Sequence, residues 1–309
     1  MKQVLVLAAL LVLVLIIHLG TGGRFLTMTN IGVIVTHAII PTFLVWGLCF
    51  IFTTGVMDLS VGAIMIVAST MAGILGLRFG YVGLIFGGLM AGFVLEYINC
   101  KVYALTKIPS WVAGLGMAMI YEAGASFYAS ICLQNGKGIV NLENHLRQLG
   151  NMPYNIVFWV IGLGLAYLLY NYTAIGLNVR AVGSNSGISQ KMGVDAAKAK
   201  LIGVIVGGLF IGMAGALNES YAGRILPSTG LGSIGMIFEP LAAFLMASAI
   251  ENVFNIVVGS VLGALALSAL FNVLTIFGVP SGTWQEVILG LCVIVVATIS
   301  QRNKEGVVK

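Results

Sequence analysis

From Val4 to Ile299 the chain alternates long, sparsely charged apolar runs with short polar joints, and that alternation allows very few folds. A hydrocarbon core needs about 20 apolar residues per crossing, or about 17–25 with tilt. Runs suited to that length are Val4–Leu19, Ile31–Phe52, Gly62–Leu77, Tyr81–Asn99, Trp111–Leu133, Tyr154–Tyr172, Leu201–Ser220, Ile237–Ile250, Val253–Ile276 and Trp284–Ile299. The expectation is an all-α polytopic membrane protein of about ten transmembrane helices in a single domain, residues 1–309. Composition agrees: 59% of residues are hydrophobic, 8% are charged, and the mean hydropathy is +1.06. A soluble domain carries about 25% charged residues. The first run lacks a small-residue cleavage site and is read as a retained span, not a signal peptide.

The net charge of +5 matters for where the cations lie. With Lys2 inside, ten crossings place Lys101, Lys107, Arg180, Lys191, Lys198, Lys200, Arg302, Lys304 and Lys309 in the cytoplasm, as the positive-inside rule requires. Both termini are then cytoplasmic. Lys137 and Arg147 fall outside, beside Glu143, in a Gly- and Asn-rich loop. Nothing in this pattern points to nucleic acid.

The third run, Gly62–Leu77, and the eighth, Ile237–Ile250, are too short to cross comfortably, and each follows a polar break. Short elements at matching places in oppositely oriented halves suggest an inverted repeat, spans 2–5 and 7–10, with a pathway at the broken helices. Two re-entrant helices that merely fill the bundle would look the same. Glycine pairs at four-residue spacing (83/87, 88/92, 203/207, 208/212 and 259/263) favour close helix packing in general and single out no dimer face.

The first break, Thr53–Gly62, reads TTGVMDLSVG. Irregular backbone at membrane depth is tolerated only where protein or a water-filled cavity covers it. Asp58 is therefore either a pathway residue or, with Ser60, a cap at the start of the third helix, and the D-L-S-V order favours the cap. The second irregular stretch, Tyr221–Phe238, contains Arg224, Pro227 and Ser228. Glu96, Glu122, Glu219, Glu239, Glu251 and Glu286 fall near span ends and read as interfacial carboxylates, which makes proton relay the weaker reading. The loop 173–200 is polar, basic and long, and Asp195–Lys200 reads as helix running straight into the seventh span. It is either a docking site for a partner or a solvated loop. Cys49, Cys100, Cys132 and Cys292 show no paired spacing, so packing is expected of them; the histidines His18, His37 and His145 are scattered, and no metal site is expected. There is no G-x-x-x-x-G-K-[ST] loop and no clustered catalytic constellation, so an enzyme is not expected.

The order of motifs resembles the permease subunits of ribose-type ATP-binding-cassette importers. The family signature G-x-D-L-S-V-G stands as Gly55-Val56-Met57-Asp58-Leu59-Ser60-Val61-Gly62, and P-S-F-I-A-T-L-G-M stands as Pro109–Met117. The cytoplasmic A-x-G-x-N motif stands as Ala181–Asn185, continuing to Gly193-Val194, and the closing W-Q…G as Trp284-Gln285 to Gly290. Two segments depart from the pattern. Ser186-Gly187-Ile188-Ser189 replaces a Pro-Glu-Ala-Ala run, and Glu239–Ala243 is followed by Ala247–Asn255 without the usual glycine-rich loop.

The resemblance implies a multi-pass bacterial inner-membrane permease that pairs with a second permease, identical or different, among membrane lipid. It also implies a cytoplasmic ATPase that holds ATP and magnesium, an extracytoplasmic solute-binding protein, and no cofactor on this chain. A monosaccharide or similar small polar solute is the implied cargo. The loop 173–200 becomes the coupling loop, with Gly183, Asn185, Gly187, Lys191 and Gly193 as its candidate contacts. Asp58, Ser60, Ser110, Trp111 and Ser228 become the candidate pathway residues. The competing expectation is a secondary transporter driven by an ion gradient.

Overall fold

The computed structural model describes residue 12 and residues 14–134, 142–223, 229–279 and 282–305. Ser228, Arg224, Pro227 and Lys137 lie outside the described residues, as does most of the first apolar run, of which residues 14–20 are helical. Every regular element among the described residues is a helix. They are α1 (Met28–Thr53), α2 (Val61–Thr106), α3 (Ser110–Gln134), α4 (Tyr154–Tyr172), α5 (Ala174–Ser184), α6 (Ser186–Lys191), α7 (Ala196–Ala222), α8 (Gly235–Ala249), α9 (Ile256–Ile276) and α10 (Thr283–Glu305). Among the described residues, six segments are long and apolar enough to cross a membrane: α1, α2, α4, α7, Gly232–Ala249 and α9. The expected third and fourth spans are the two arms of α2. They meet at Gly80, whose φ of 65° and ψ of −146° only glycine adopts without strain. The arms fold back on each other, since a Cβ placed on Gly76 would stand 3.1 Å from Leu84 Cβ. That fold-back makes two arms of one helical, largely apolar stretch.

The chain divides into two compact units. In the unit spanning residues 46–237, α7 is the axis. Its Gly208 and Gly212 meet Gly88 and Gly92 of α2, and a Cβ on Gly208 would lie 2.5 Å from Gly92 O. Small residues let the two backbones touch, and Ser69 Oγ adds a 2.9 Å bond to Gly215 O. The end of α1 packs on another face of α7, where Phe50 stacks on Phe210 with ring centroids 5.8 Å apart. Among the segment 142–153, Gly150 N–H donates to Ser220 Oγ, which in turn donates to Leu146 O at 2.6 Å. Tyr81 Oη donates to His145 O in the same place. This segment therefore closes over the end of α7 and the start of the second arm of α2.

In the other unit, residues 1–45 and 238–309, Gly259 and Gly263 of α9 lie against Ala247 and Ala243 of α8. Ser268 Oγ donates to Ile34 O at 2.8 Å. Asn30 and Asn272 exchange amide bonds at 2.9 and 2.8 Å, which fastens α1 to α9. Outside these contacts, side chains such as Phe79, Val82, Phe127, Val160 and Leu165 are exposed and apolar, as a surface wetted by lipid requires.

Candidate functional site

The break after α1 is a tightly bonded turn. Asp58 Oδ1 accepts the Ser60 N–H at 2.7 Å, directly at the cap of α2, and its other oxygen accepts Asn99 Nδ2 at 2.8 Å. Asn99 also donates to Ser60 Oγ at 2.7 Å and accepts from Tyr121 Oη at 2.7 Å. Glu96 and Tyr103 stand close to the Asp58 carboxylate. Met57 N–H donates to Ser110 Oγ at 2.9 Å, so α3 holds the turn from the other side. Asp58, Ser60, Glu96 and Asn99 are fully buried. Burial on that scale leaves no water to satisfy the carboxylate, which is why its oxygens are met by an amide and a backbone N–H.

Thus Asp58, Ser60 and Ser110 come together, whereas Trp111, one residue further on, is half exposed. The capping reading of Asp58 takes a particular form here. Ser60 occupies the cap position but its side chain makes no capping bond, and Asp58 supplies the acceptor from two residues upstream.

The carboxylates differ from the expectation of interfacial groups. Glu96, Glu122 and Glu219 are buried inside the bundle, 0%, 1% and 4% exposed. Glu122, midway along α3, accepts the N–H groups of Leu231 and Ser233 at 2.8 and 2.7 Å. It thereby anchors the second irregular stretch. The same stretch touches the first: Ser233 O occupies the place that a Cβ on Gly62 would need. The two breaks are therefore in backbone contact inside one unit. Neither Glu122 nor Asn99 was a candidate on sequence, because their partners lie far along the chain.

The loop 173–200 consists of two short helices. Thr173 caps α5, Asn185 closes α5 and caps α6 by accepting Ile188 N–H at 3.0 Å, and Asp195 caps α7 by accepting Lys198 N–H at 3.0 Å. Asp195 therefore starts a helix that continues to Ala222, as read from sequence. Gly183 packs on Thr53, whose carbonyl occupies the place of any Cβ there. A Cβ on Gly203 would lie 2.7 Å from Thr54 Cγ2, and Thr53 Oγ1 pairs with Tyr170 Oη at 3.2 Å. Asn185, Gly187, Lys191 and Gly193 are exposed, and so are the apolar Leu177, Ile188 and Met192. An exposed apolar group on short helices, rimmed by polar residues, is the surface pattern of a docking face.

A family model described as branched-chain amino acid transport system / permease component matches residues 30–297. The chain belongs to that family. It is a membrane permease subunit of an ATP-binding-cassette importer, a multi-pass protein of the bacterial inner membrane and not an enzyme. Permeases of this family work with an ATPase and a solute-binding protein.

The permease is similar to the autoinducer 2 import system permease protein LsrC of Shigella flexneri, 27% identical over 310 residues, which cover 96% of this chain and 86% of that protein. The LsrC of Yersinia pseudotuberculosis serotype O:3 is likewise 27% identical, over 304 residues covering 96% and 84%. The fructose import permease protein FrcC of Rhizobium meliloti is 26% identical over 291 residues, 91% and 80%. No solved structure matches the permease.

Proposed function

We propose that this permease carries a monosaccharide or similar small polar solute into the cell, with α5 and α6 seated on the partner ATPase. Import of autoinducer 2 and of fructose by the similar permeases supports the cargo class. The observation that carries the coupling assignment is the contact of Gly183 with the Thr53 carbonyl. Thr53 is the last residue of α1, directly before the Asp58 turn. Movement imposed on α5 from the cytoplasm thus reaches the first break through backbone, and the break touches the second through Gly62 and Ser233. Broken helices that meet inside a bundle are where alternating access is expected to act.

In this reading the chain is a single permease domain, residues 1–309, with about ten spans, an inverted repeat of spans 2–5 and 7–10, and both termini in the cytoplasm. The packing of the 46–237 unit supports the alternation. The end of α7 meets the Gly80 turn side through the 142–153 segment, and the start of α7 meets the end of α1, which in turn meets Tyr170 of α4. A solute-binding protein delivers cargo from outside, a second permease, identical or different, completes the path, and ATP with magnesium is held by the ATPase. Asp58, Ser60 and Ser110 shape the pathway from within the wall, and Trp111 and Ser228 remain candidate lining residues. Gly183, Asn185, Gly187, Lys191 and Gly193 form the coupling segment.

Affinity co-purification of the permease with its ATPase tests the seat. Scrambling residues 183–193 is expected to abolish co-purification while leaving membrane insertion intact. Undiminished association after scrambling sinks the coupling assignment.

A further inference from the structure

The unit formed by residues 1–45 and 238–309 encloses a cavity of ≈460 Å³. That lies within the range of about 300–1,000 Å³ typical of small-molecule sites. Its polar lining is His37 from α1, Glu239 from α8, Ser268, Asn272 and Thr275 from α9, and Gln285 from α10, with Phe271 as an aromatic wall. We propose that this cavity is the solute-recognition site of the permease and that it takes a neutral polyhydroxylated molecule of monosaccharide size.

Four helices supply these groups, and the scaffold beneath them is fixed. Asn272 is held by its paired amide bonds to Asn30, and Ser268 by its bond to Ile34 O, so α1 and α9 keep a constant spacing at the site. The chemistry selects the ligand class. The hydroxyl hydrogens of Ser268 and Thr275 go to Ile34 O and Phe271 O, so these oxygens and the Glu239 carboxylate offer acceptors while the Gln285 amide offers donors, which together match a ring of hydroxyl groups. Among the described residues that line it there is no Lys or Arg, and there is one carboxylate. An amino acid's carboxylate would find no cationic partner there and would face Glu239, so a zwitterion fits poorly. Glu239 belongs to the segment where the chain departs from the pattern it resembles, and Gln285 to the closing W-Q motif, neither of which suggested a site on its own.

The orientation proposed above puts the contributing parts of α1, α9 and α10 in the outer half of the membrane. Val33 to His37 come early in a helix that enters from outside, Ser268 to Thr275 come late in one that leaves, and Gln285 lies in the first turn of α10. The site is then reached from the side on which solute is delivered. This inference rests on the monosaccharide reading of the cargo.

The test uses the complete importer, with its ATPase, binding protein and second permease, in cells without other fructose uptake. Labelled D-fructose is the probe, with L-leucine as comparator. Glu239→Gln and Gln285→Ala are expected to cut the maximal uptake rate about tenfold, the effect of a lost buried hydrogen bond. The half-saturating concentration, set by the binding protein, should not move, and the ATPase should still co-purify. Uptake by Thr275→Cys, measured against that variant's own untreated rate, should fall about tenfold when a membrane-impermeant thiol reagent is added outside, and fructose should slow that labelling. Wild-type uptake in both lining variants overturns the site, as does Thr275→Cys labelling that fructose leaves unchanged. A wild-type importer that carries leucine and no fructose overturns the monosaccharide reading itself.

Discussion

Asp58 has both carboxylate oxygens committed, one to Ser60 N–H at 2.7 Å and the other to Asn99 Nδ2 at 2.8 Å. Replacing it by Asn keeps an acceptor for the backbone, so Asp58→Asn is expected to fold and to lose transport modestly. Asp58→Ala strands a buried N–H and a buried amide, each costing about 1–3 kcal/mol. The thermal midpoint of the detergent-purified permease should fall clearly for Ala and little for Asn; equal midpoints would remove the turn's dependence on Asp58. Glu122 makes the same point across a greater distance. Its two backbone partners lie 109 and 111 residues away, so Glu122→Ala should destabilise more than Glu122→Gln, which retains one acceptor. A matching loss for Gln and Ala would mean that both oxygens, and hence the charge, are required. The contrast between the two acids explains what sequence could reveal. Asp58 acts on a residue two positions away, and the D-L-S order announces it. Glu122 acts on residues that only the folded bundle brings near, so by position it looked like a membrane-interface carboxylate.

At the scale of elements, apolar length was legible and local geometry was not. The run boundaries of the expected sixth span coincide with α4, Tyr154–Tyr172, because hydrophobic length and flanking polarity define such a helix. The hairpin of α2 was legible as two spans, since its arms read as separate apolar runs around Gly80. The two-helix build of 173–200 was only partly so: Asp195 caps α7 visibly, but Asn185 serves two helices at once, which no single-helix pattern shows. Gly183 was a motif residue without a stated contact until its approach to Thr53 appeared. A valine there has no room against the Thr53 carbonyl. Gly183→Val is therefore expected to leave ATPase co-purification in place while reducing uptake by about tenfold or more, since a misplacement of about 1 Å can cost about that much or more in a tuned site. Uptake at the wild-type rate would show that the contact is not part of the drive.

On the scale of the whole molecule, the family places the energy source outside this chain. Two of its buried acids, Asp58 and Glu122, are occupied by hydrogen bonds to the fold, which leaves those two ill suited to carrying protons. Liposomes containing the permease alone, under a proton or sodium gradient, should show no solute uptake; accumulation in that preparation would restore the secondary-transporter reading. The proposed cargo pocket and the proposed ATPase-facing loop are unequal in sequence. The loop declared itself by charge and length, whereas the pocket draws single polar residues from helices at both ends of the chain. One consequence concerns compliance. Where Gly183 meets Thr53 and Gly62 meets Ser233, no side chain stands between the backbones to flex or change rotamer. In the proposed seating, a displacement of the loop passes to the first break from backbone to backbone, with no change of rotamer between them to absorb it.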